Sequence, residues 1–534
     1  MTPAAAQVDL LPIDHPATTA LVRLYEYGGA PEFPREHLPI TRGLARRLFL
    51  AAESDTTLPL SLRRQARYHL VELDADVDRR ARAVFIATPA NDRLIYDDPI
   101  ASWPIAILEA RDSAVGATLV VEPIGDVEAR LDPDSSTTAI PAVFGLSVRG
   151  TILEHLGFAA RVTNGSVAGD STLAARDPRI ARSGAFGLTG FGRDIDFARA
   201  HVRLDFDAVA LEVAREALQL GGGHRGSLLL GSMLPTDYDA LRFQARVGRV
   251  AYTHIHASLL PDLDKSVRGV FSPIPNKFIA THLFSAGPFG GVRFSVGESV
   301  IYSERPFEIG YINPFAFLRS QEHYFRDRDN ANMYASISAA PFDGIFLESE
   351  LVLDDLKFSR MGEGYWGNKT GWRVAATARA VPVGAVDMGL SYTRLEPYLY
   401  THFSDTNAYS HDASPLAAAG LPPNSHYFEA TIAFIPVPQL SVTAVVGAGE
   451  HGANVYALDS LVKNVGGDIG QTRRAIDPET VTFLDGRLER IGRLRLEIEY
   501  EPLRNVYVRL HAFASTLGER VEREIRFGLR VGAH

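Results

Sequence analysis

Arg493-Leu494-Arg495-Leu496-Glu497-Ile498-Glu499-Tyr500-Glu501 decides how this chain folds. Every even position is apolar and every odd position is ionisable. A strand sends successive side chains to opposite faces, so the segment has one greasy face and one charged face. The same alternation recurs along the chain. Val202, Leu204 and Phe206 alternate with Arg203, Asp205 and Asp207; Leu241, Phe243, Ala245 and Val247 alternate with Arg242, Gln244 and Arg246. Val506, Val508, Leu510 and Ala512 alternate with Tyr507, Arg509 and His511; Ile525, Phe527, Leu529 and Val531 alternate with Arg526, Gly528 and Arg530. With too few helices to cover that many greasy faces, the faces need lipid, and the expected fold is all-β, a transmembrane antiparallel up-and-down β-barrel.

Bulk composition agrees. The 534 residues are 46% hydrophobic and 22% charged, and the mean hydropathy is near zero. No run of eighteen apolar residues exists, so no transmembrane helix is expected. A barrel escapes hydropathy because its lumen-facing residues dilute the signal. The net charge of −10 argues against nucleic acid as partner, since phosphate binding wants a basic surface. The absence of cysteine excludes disulfides and thiolate metal sites, and fits an oxidising envelope compartment. Ala4-Ala5-Ala6 near the start reads either as the remnant of a small-residue cleavage site or as a flexible start.

Three domains are expected: a helical periplasmic segment over 1–80, a linker and barrel entry over 81–113, and the barrel over 114–534. Helical spacing places Leu21, Leu24 and Tyr25 on one helix, closed by Gly28-Gly29. Thr41 is the expected N-cap of a second, with Leu44, Leu48 and Ala51 on one face. Ser61 is the expected cap of a third, with Leu62, Ala66, Leu70, Leu73 and Val77 in line. Asp97-Asp98-Pro99 and Trp103-Pro104 break any regular element in the linker. Tight turns are expected at Gly248-Arg249, Pro341-Phe342-Asp343-Gly344, Val381-Pro382-Val383-Gly384 and Pro436-Val437-Pro438. Long loops are expected at 164–182, 260–276, 358–370, 401–426 and 451–490. At roughly 10 residues per strand plus connections, ~16–20 strands fit, and about 18 is the central expectation. Tyr311, Phe315, Tyr392, Tyr398 and Tyr400 are candidates for interfacial girdles. A soluble sandwich would need a second sheet on the apolar face, and a propeller would show a repeat of about 40 residues, which is absent.

Short motifs resemble the Wzi-type capsule assembly family. They are Gly221-Gly222-Gly223-His224-Arg225-Gly226-Ser227-Leu228-Leu229-Leu230-Gly231-Ser232, then Gly297-Glu298-Ser299-Val300-Ile301-Tyr302, Phe307-Glu308 and Tyr311-Ile312-Asn313-Pro314, with Asp329-Asn330 and Leu351-Val352-Leu353-Asp354-Asp355 following in the family's order. The resemblance implies an outer-membrane barrel of about eighteen strands with a periplasmic helical part, acting as a lectin for capsular polysaccharide.

Candidate chemistry is sparse. Residues 221–227 lack the Lys of a phosphate-binding loop and lead into another strand, so an inward-folded loop or tight turn is expected. His254 and His256 share a strand face with Tyr252 and Ser258, but no third metal ligand is nearby, so no metal site is expected. Glu298, Glu304, Glu308, Asp354 and Asp355 offer carboxylates without a recognisable catalytic pair. No nucleophile elbow or metalloprotease motif appears, so neither catalysis nor a cofactor is expected. Arg242, Arg246, His254, His256, Glu298, Arg493 and Arg495 are the expected polar lining of the lumen. Tyr311, Asn313, Tyr365, Trp366 and Arg305 are the expected sugar contacts, because aromatic faces stack on sugar rings and the guanidinium fork matches sugar carboxylates. Surface polysaccharide and membrane lipid are the expected partners. The competing functions are a porin-like channel and a peptidoglycan tether through the N-terminal helices, where Ile13-Asp14-His15-Pro16 and Pro39-Ile40-Thr41-Arg42 echo surface-layer segments.

Overall fold

The computed structural model describes residues 7–78, 82–83, 108–112, 116–183, 193–223, 226–231, 237–262, 274–381, 385–412 and 414–532. Among them, eighteen antiparallel strands close into one barrel. The first six are β1 (Ala117–Asp132), β2 (Thr137–Ile152), β3 (Leu156–Gly169), β4 (Arg193–Asp205), β5 (Val209–Ala217) and β6 (Asp237–Val247). Next come β7 (Val250–Leu259), β8 (Lys277–Phe289), β9 (Val292–Ser303), β10 (Asn330–Phe342), β11 (Ile345–Asp355) and β12 (Lys369–Ala378). The last are β13 (Val386–Leu395), β14 (Ser425–Val437), β15 (Leu440–Ala453), β16 (Arg487–Leu503), β17 (Val506–Leu517) and β18 (Arg520–Val531). Each pairs with its sequence neighbour, and β18 closes on β1 from Ile525↔Leu131 to Val531↔Gly125. The short strand Leu108–Asp112 pairs with residues 117–121 of β1, lying end to end with β18 on the same edge. Every barrel edge is thereby paired, which removes the aggregation hazard of an open sheet. Most of the expected linker, and the turn at 382–384, lie outside the described residues.

The alternation read from the sequence sets the wall's two faces. Phe294 and Val296 point outward and are exposed, while Arg293 and Ser295 between them are buried. Leu494, Leu496, Phe527 and Leu529 are likewise outward. Tight turns gather at one end, at 248–249, 290–291, 343–344, 438–439 and 504–505. Gly290 and Gly291 carry φ of 58° and 83°, the left-handed pair that a two-residue hairpin needs. Long connections gather at the other end, apart from short turns at 133–136 and 518–519. Loop bounds differ from expectation: β3 runs to Gly169, β15 to Ala453 and β16 starts at Arg487. The connections at 218–236 and 304–329 were not expected to be long, because their apolar runs look like strands.

The N-terminal segment folds as α1 (Pro16–Tyr27), α2 (Arg42–Ser54) and α3 (Leu60–Asp78). Gly28, at φ 103°, closes α1 with its N–H on the Leu24 and Tyr25 carbonyls, and Thr41 caps α2 by accepting from the Leu44 N–H. Ser61 lies inside α3 rather than capping it, and Ala51 is exposed while Ala45, Leu48, Phe49 and Ala52 form the buried face. The segment seals the tight-turn mouth. Its apolar core reaches Phe346 of β11, and charged bolts fix it: Arg23 to Asp387 at 2.8 Å, Arg35 to Glu348 at 2.6 Å, and Glu36 to Arg293 at 2.9 Å.

Two connections from the other end fold into the lumen, and the first of them meets this plug. Gln219–Leu220 pairs with His37–Leu38, and the Gly221 N–H donates to the Glu36 carbonyl. Leu228, Leu229 and Leu230 then pack with Tyr400, Tyr409 and Leu416 of the 396–424 connection against Ile255, Ile279 and Ile301 of the wall. The glycine-rich stretch is thus an inward-folded loop. A third insertion, α4 (Ser171–Ala174) and α5 (Pro178–Ser183), packs Leu173 and Ile180 against Val143 and Ile195.

The 304–329 connection takes the opposite course. It folds over the outward face of β6–β10 as α6 (Ile309–Ile312) and α7 (Leu318–Tyr324). Its tip lies against Tyr252, whose hydroxyl donates to the Pro314 carbonyl, and against Phe243, 5.9 Å from Phe315 ring to ring. Register fixes the side: His256 is level with outward Leu241, and His254 with Phe243. His254, His256 and Glu298 therefore face out beneath this segment rather than lining the lumen, a correction to the expectation that polar faces point inward. Tyr311, Tyr398 and Tyr400 are fully buried core residues, not girdle residues.

Candidate functional site

The lumen wall is cross-braced by ion pairs. Glu212 accepts from Arg242 at 2.6 Å and Arg203 at 3.0 Å, and Arg242 also donates to the Pro39 carbonyl. Glu348 and Glu350 bind Arg373 and receive the N–H groups of Gly223 and Leu228. These arginines are consumed in bracing the wall, the plug and the inserted loop, because a buried carboxylate needs a paired cation or several donors. Arg246 points to the Glu32 carbonyl at the tight-turn mouth. Arg493 stacks over Tyr427 at 5.3 Å, and Arg495 pairs with Glu497 at 3.5 Å on a half-exposed stretch of β16.

A second group of polar side chains lies at the long-loop mouth. A cavity of about 350 Å³ opens there between the 356–368, 396–424 and 454–486 connections and α7. Trp366 lines it, half-buried, with its ring at 77° to Tyr398. An antiparallel bridge between Tyr365 and Thr480, and the Trp366 N–H on the Glu479 carbonyl, fix the tryptophan backbone. The Arg473 guanidinium sits 5.0 Å from the Trp366 ring centre, and the Lys369 ammonium 5.9 Å. Lys369 is held by Asp354 at 3.2 Å and Asp355 at 3.0 Å. Arg319, Glu322, His402 and Phe403 also line the cavity, together with the carboxylates of Asp327 and Asp329. Burial pushes the Glu322 carboxyl up to about 7, against the pull of Arg319. Burial, aided by Lys369, holds the His402 imidazole down at about 4, so it is neutral at physiological pH. An aromatic face flanked by cations is a surface for a flat, partly apolar ring bearing negative charge.

The expected sugar contacts separate in space. Trp366 lines the cavity, and Tyr365 sits beside it under the Arg360 guanidinium at 4.1 Å. Arg305 is spent on Asp329, with two bonds of 2.7 and 2.6 Å, and Tyr311 donates to the same carboxylate at 2.6 Å. Asn313 lies at the tip of the outer-wall segment, where its carboxamide oxygen caps the Phe315 N–H. Arg473, Lys369, Arg319, Glu322, His402 and Phe403 were not singled out from the sequence. They come from three separate connections and the first residue of β12, and no local spacing announces their meeting. Among the described residues, Glu322, His323 and Asp327 form one group able to offer three ligand atoms, with His323 and Asp327 exposed.

No family model and no curated protein matches the chain. Among solved structures, Wzi of Escherichia coli, described as an outer membrane protein involved in group 1 capsule assembly and a carbohydrate binding β-barrel, aligns at a TM-score of 0.60 and 11% identity. The alignment covers 98% of this chain and 99% of that one. OprD of Pseudomonas aeruginosa aligns at 0.44 and 10% identity, over 77% of this chain and 94% of that one. OccK5 (OpdH) of the same organism aligns at 0.44 and 10%, over 78% and 97%. At these identities the likeness is one of fold. The chain has the closed eighteen-stranded fold seen in outer-membrane β-barrels, with a helical segment before it.

Proposed function

We propose that this barrel binds an anionic surface polysaccharide at its long-loop mouth, with the helical segment closing the periplasmic end. The observation that carries the reading is the Trp366 face flanked by Arg473 and Lys369 in a cavity open to the outside. The filling of the lumen by the plug and the inward loops supports it, since a filled lumen suits retention better than passage. The carbohydrate binding described for the similarly folded Wzi adds an analogy of fold. The tether reading fits less well: His15, Pro39, Ile40 and Arg42 of the segments that suggested it are buried.

The test is retention of the detergent-solubilised protein on immobilised uronic-acid polysaccharide, compared with a neutral glucan. Retention by the charged matrix, lost in Trp366→Ala, is expected. Equal elution from both matrices contradicts the reading. A second reading is passage of small solutes, favoured by the half-exposed charged side chains of Arg495, Glu497 and Glu499 along β16. Planar-bilayer recording separates the two: stable ionic steps in the intact protein favour the channel.

A further inference from the structure

We propose that the tip of the 304–329 connection, from Ile309 to Leu318, forms a flap embedded in the membrane, sealing a polar stripe on the lipid-facing wall and presenting its own aromatic side chains to acyl chains. The stripe is Tyr252, His254, His282 and Glu298, which lie level across β7, β8 and β9 or one step apart on the outward face. Polar groups facing hydrocarbon are costly unless partnered. The flap supplies partners to Tyr252 and Glu298. Glu298 accepts from the Leu318 N–H at 2.7 Å and the Arg319 N–H at 3.3 Å, and lies 3.7 Å from His282. Tyr252 donates to the Pro314 carbonyl.

The flap reaches membrane depth. Its roots, Ser303 and Asn330, are at the long-loop end, where Tyr302, Phe278 and Ser258 are level. Its tip lies against Tyr252, only two positions from the tight-turn end of β7. The distance along the strand from Ser258 to Tyr252 is about 20 Å, or about 15 Å of depth at ordinary barrel tilt. The apolar band of an outer-membrane barrel is about 25 Å tall, so the tip falls well inside it.

Irregular backbone in contact with lipid must satisfy its own polar groups. Here the Tyr311, Ala316 and Gln321 N–H groups bond the Glu308, Asn313 and Phe317 carbonyls, and Asn313 caps Phe315. Residue 314 at the tip is proline, with no N–H to satisfy. The outward face of the flap is dominated by large apolar side chains, with Ile309 79% exposed, Phe315 80% and Phe317 71%, the small polar Asn313 among them and Ser320 just beyond. The charged residues Arg326, Asp327 and Arg328 fall at the root. This polarity gradient continues the apolar wall on either side, which is the continuity that assigns acyl chains as the occupant.

The chain has no cysteine, so Phe315→Cys and Phe317→Cys can each carry a single nitroxide. The labelled protein is reconstituted in phosphatidylcholine vesicles and its collisions with oxygen and with a water-soluble nickel chelate are compared. Oxygen-dominated collision at both positions is expected, matching a wall control at Phe434→Cys and opposite to the loop-tip control Leu458→Cys. Nickel-dominated collision at positions 315 and 317 overturns the proposal. Hydrogen exchange of the unmodified protein in the same vesicles guards against a label that dislodges the flap. Amides of 315–321 protected for hours support it, and exchange within seconds overturns it.

Discussion

Replacing Arg35 by alanine should loosen the N-terminal plug. Arg35 is buried, donates to Glu348 at 2.6 Å, pairs with Glu26 at 3.1 Å and lies 5.0 Å over the Phe346 ring. Breaking an isolated buried pair costs about 3–5 kcal/mol. Neither carboxylate is fully orphaned here, since Arg373 and the Gly223 N–H still serve Glu348 and Arg379 still serves Glu26. Two charge-assisted hydrogen bonds at about 1.5 kcal/mol each give about 3 kcal/mol, the low end of that range. That is a shift of roughly 100-fold in the docking equilibrium of the plug. The assay is hydrogen exchange at the Gly221 amide, whose bond to the Glu36 carbonyl spans the plug and the inserted loop. Its protection should fall about 100-fold at unchanged strand protection. Arg215→Ala, at an exposed pair with Asp239, is the control and should change nothing measurable. A fall of less than threefold at Gly221 would refute the view that buried charge pairs dock the plug.

Three further outcomes follow from the same geometry. Arg473→Ala should weaken binding of an anionic oligosaccharide by about tenfold, the loss of one cation beside a stacking ring, read by calorimetry; unchanged affinity removes the mouth cavity from the site. Glu322, raised to about 7 by burial, sheds its negative charge as pH falls from 8 to 6, so anionic ligand should bind more tightly at pH 6. At ~6 Å in a water-like medium the gain is about 0.7 kcal/mol, near threefold, and Glu322→Gln should abolish it. Leu496→Arg, on the outward face near mid-strand, should cost about 2–4 kcal/mol in unfolding from bilayers, whereas Arg495→Leu on the inward face should cost much less.

The sequence by itself determined that a two-faced wall exists, roughly how many strands build it, and where the turns near 248–249, 343–344 and 438–439 fall. Those features are local: strand period and hairpin chemistry act between neighbours, so residues 493–501 carry them unaided. It also fixed α1 and α2 through Gly28 and Thr41. It did not determine which medium each face meets. His254 and His256 share a polar face in the sequence, and that face can point outward without meeting lipid because a connection fifty residues later covers it. Ile255 and Ile279 face inward without meeting water because Leu228 to Leu230 arrive to cover them. The same limit governed the site: Tyr365 and Trp366 were legible as aromatics near a turn, but their partner Arg473 comes from a separate loop. Side-chain direction is set by the residue's own backbone, whereas the surroundings it meets are set by distant segments that only the closed barrel brings together.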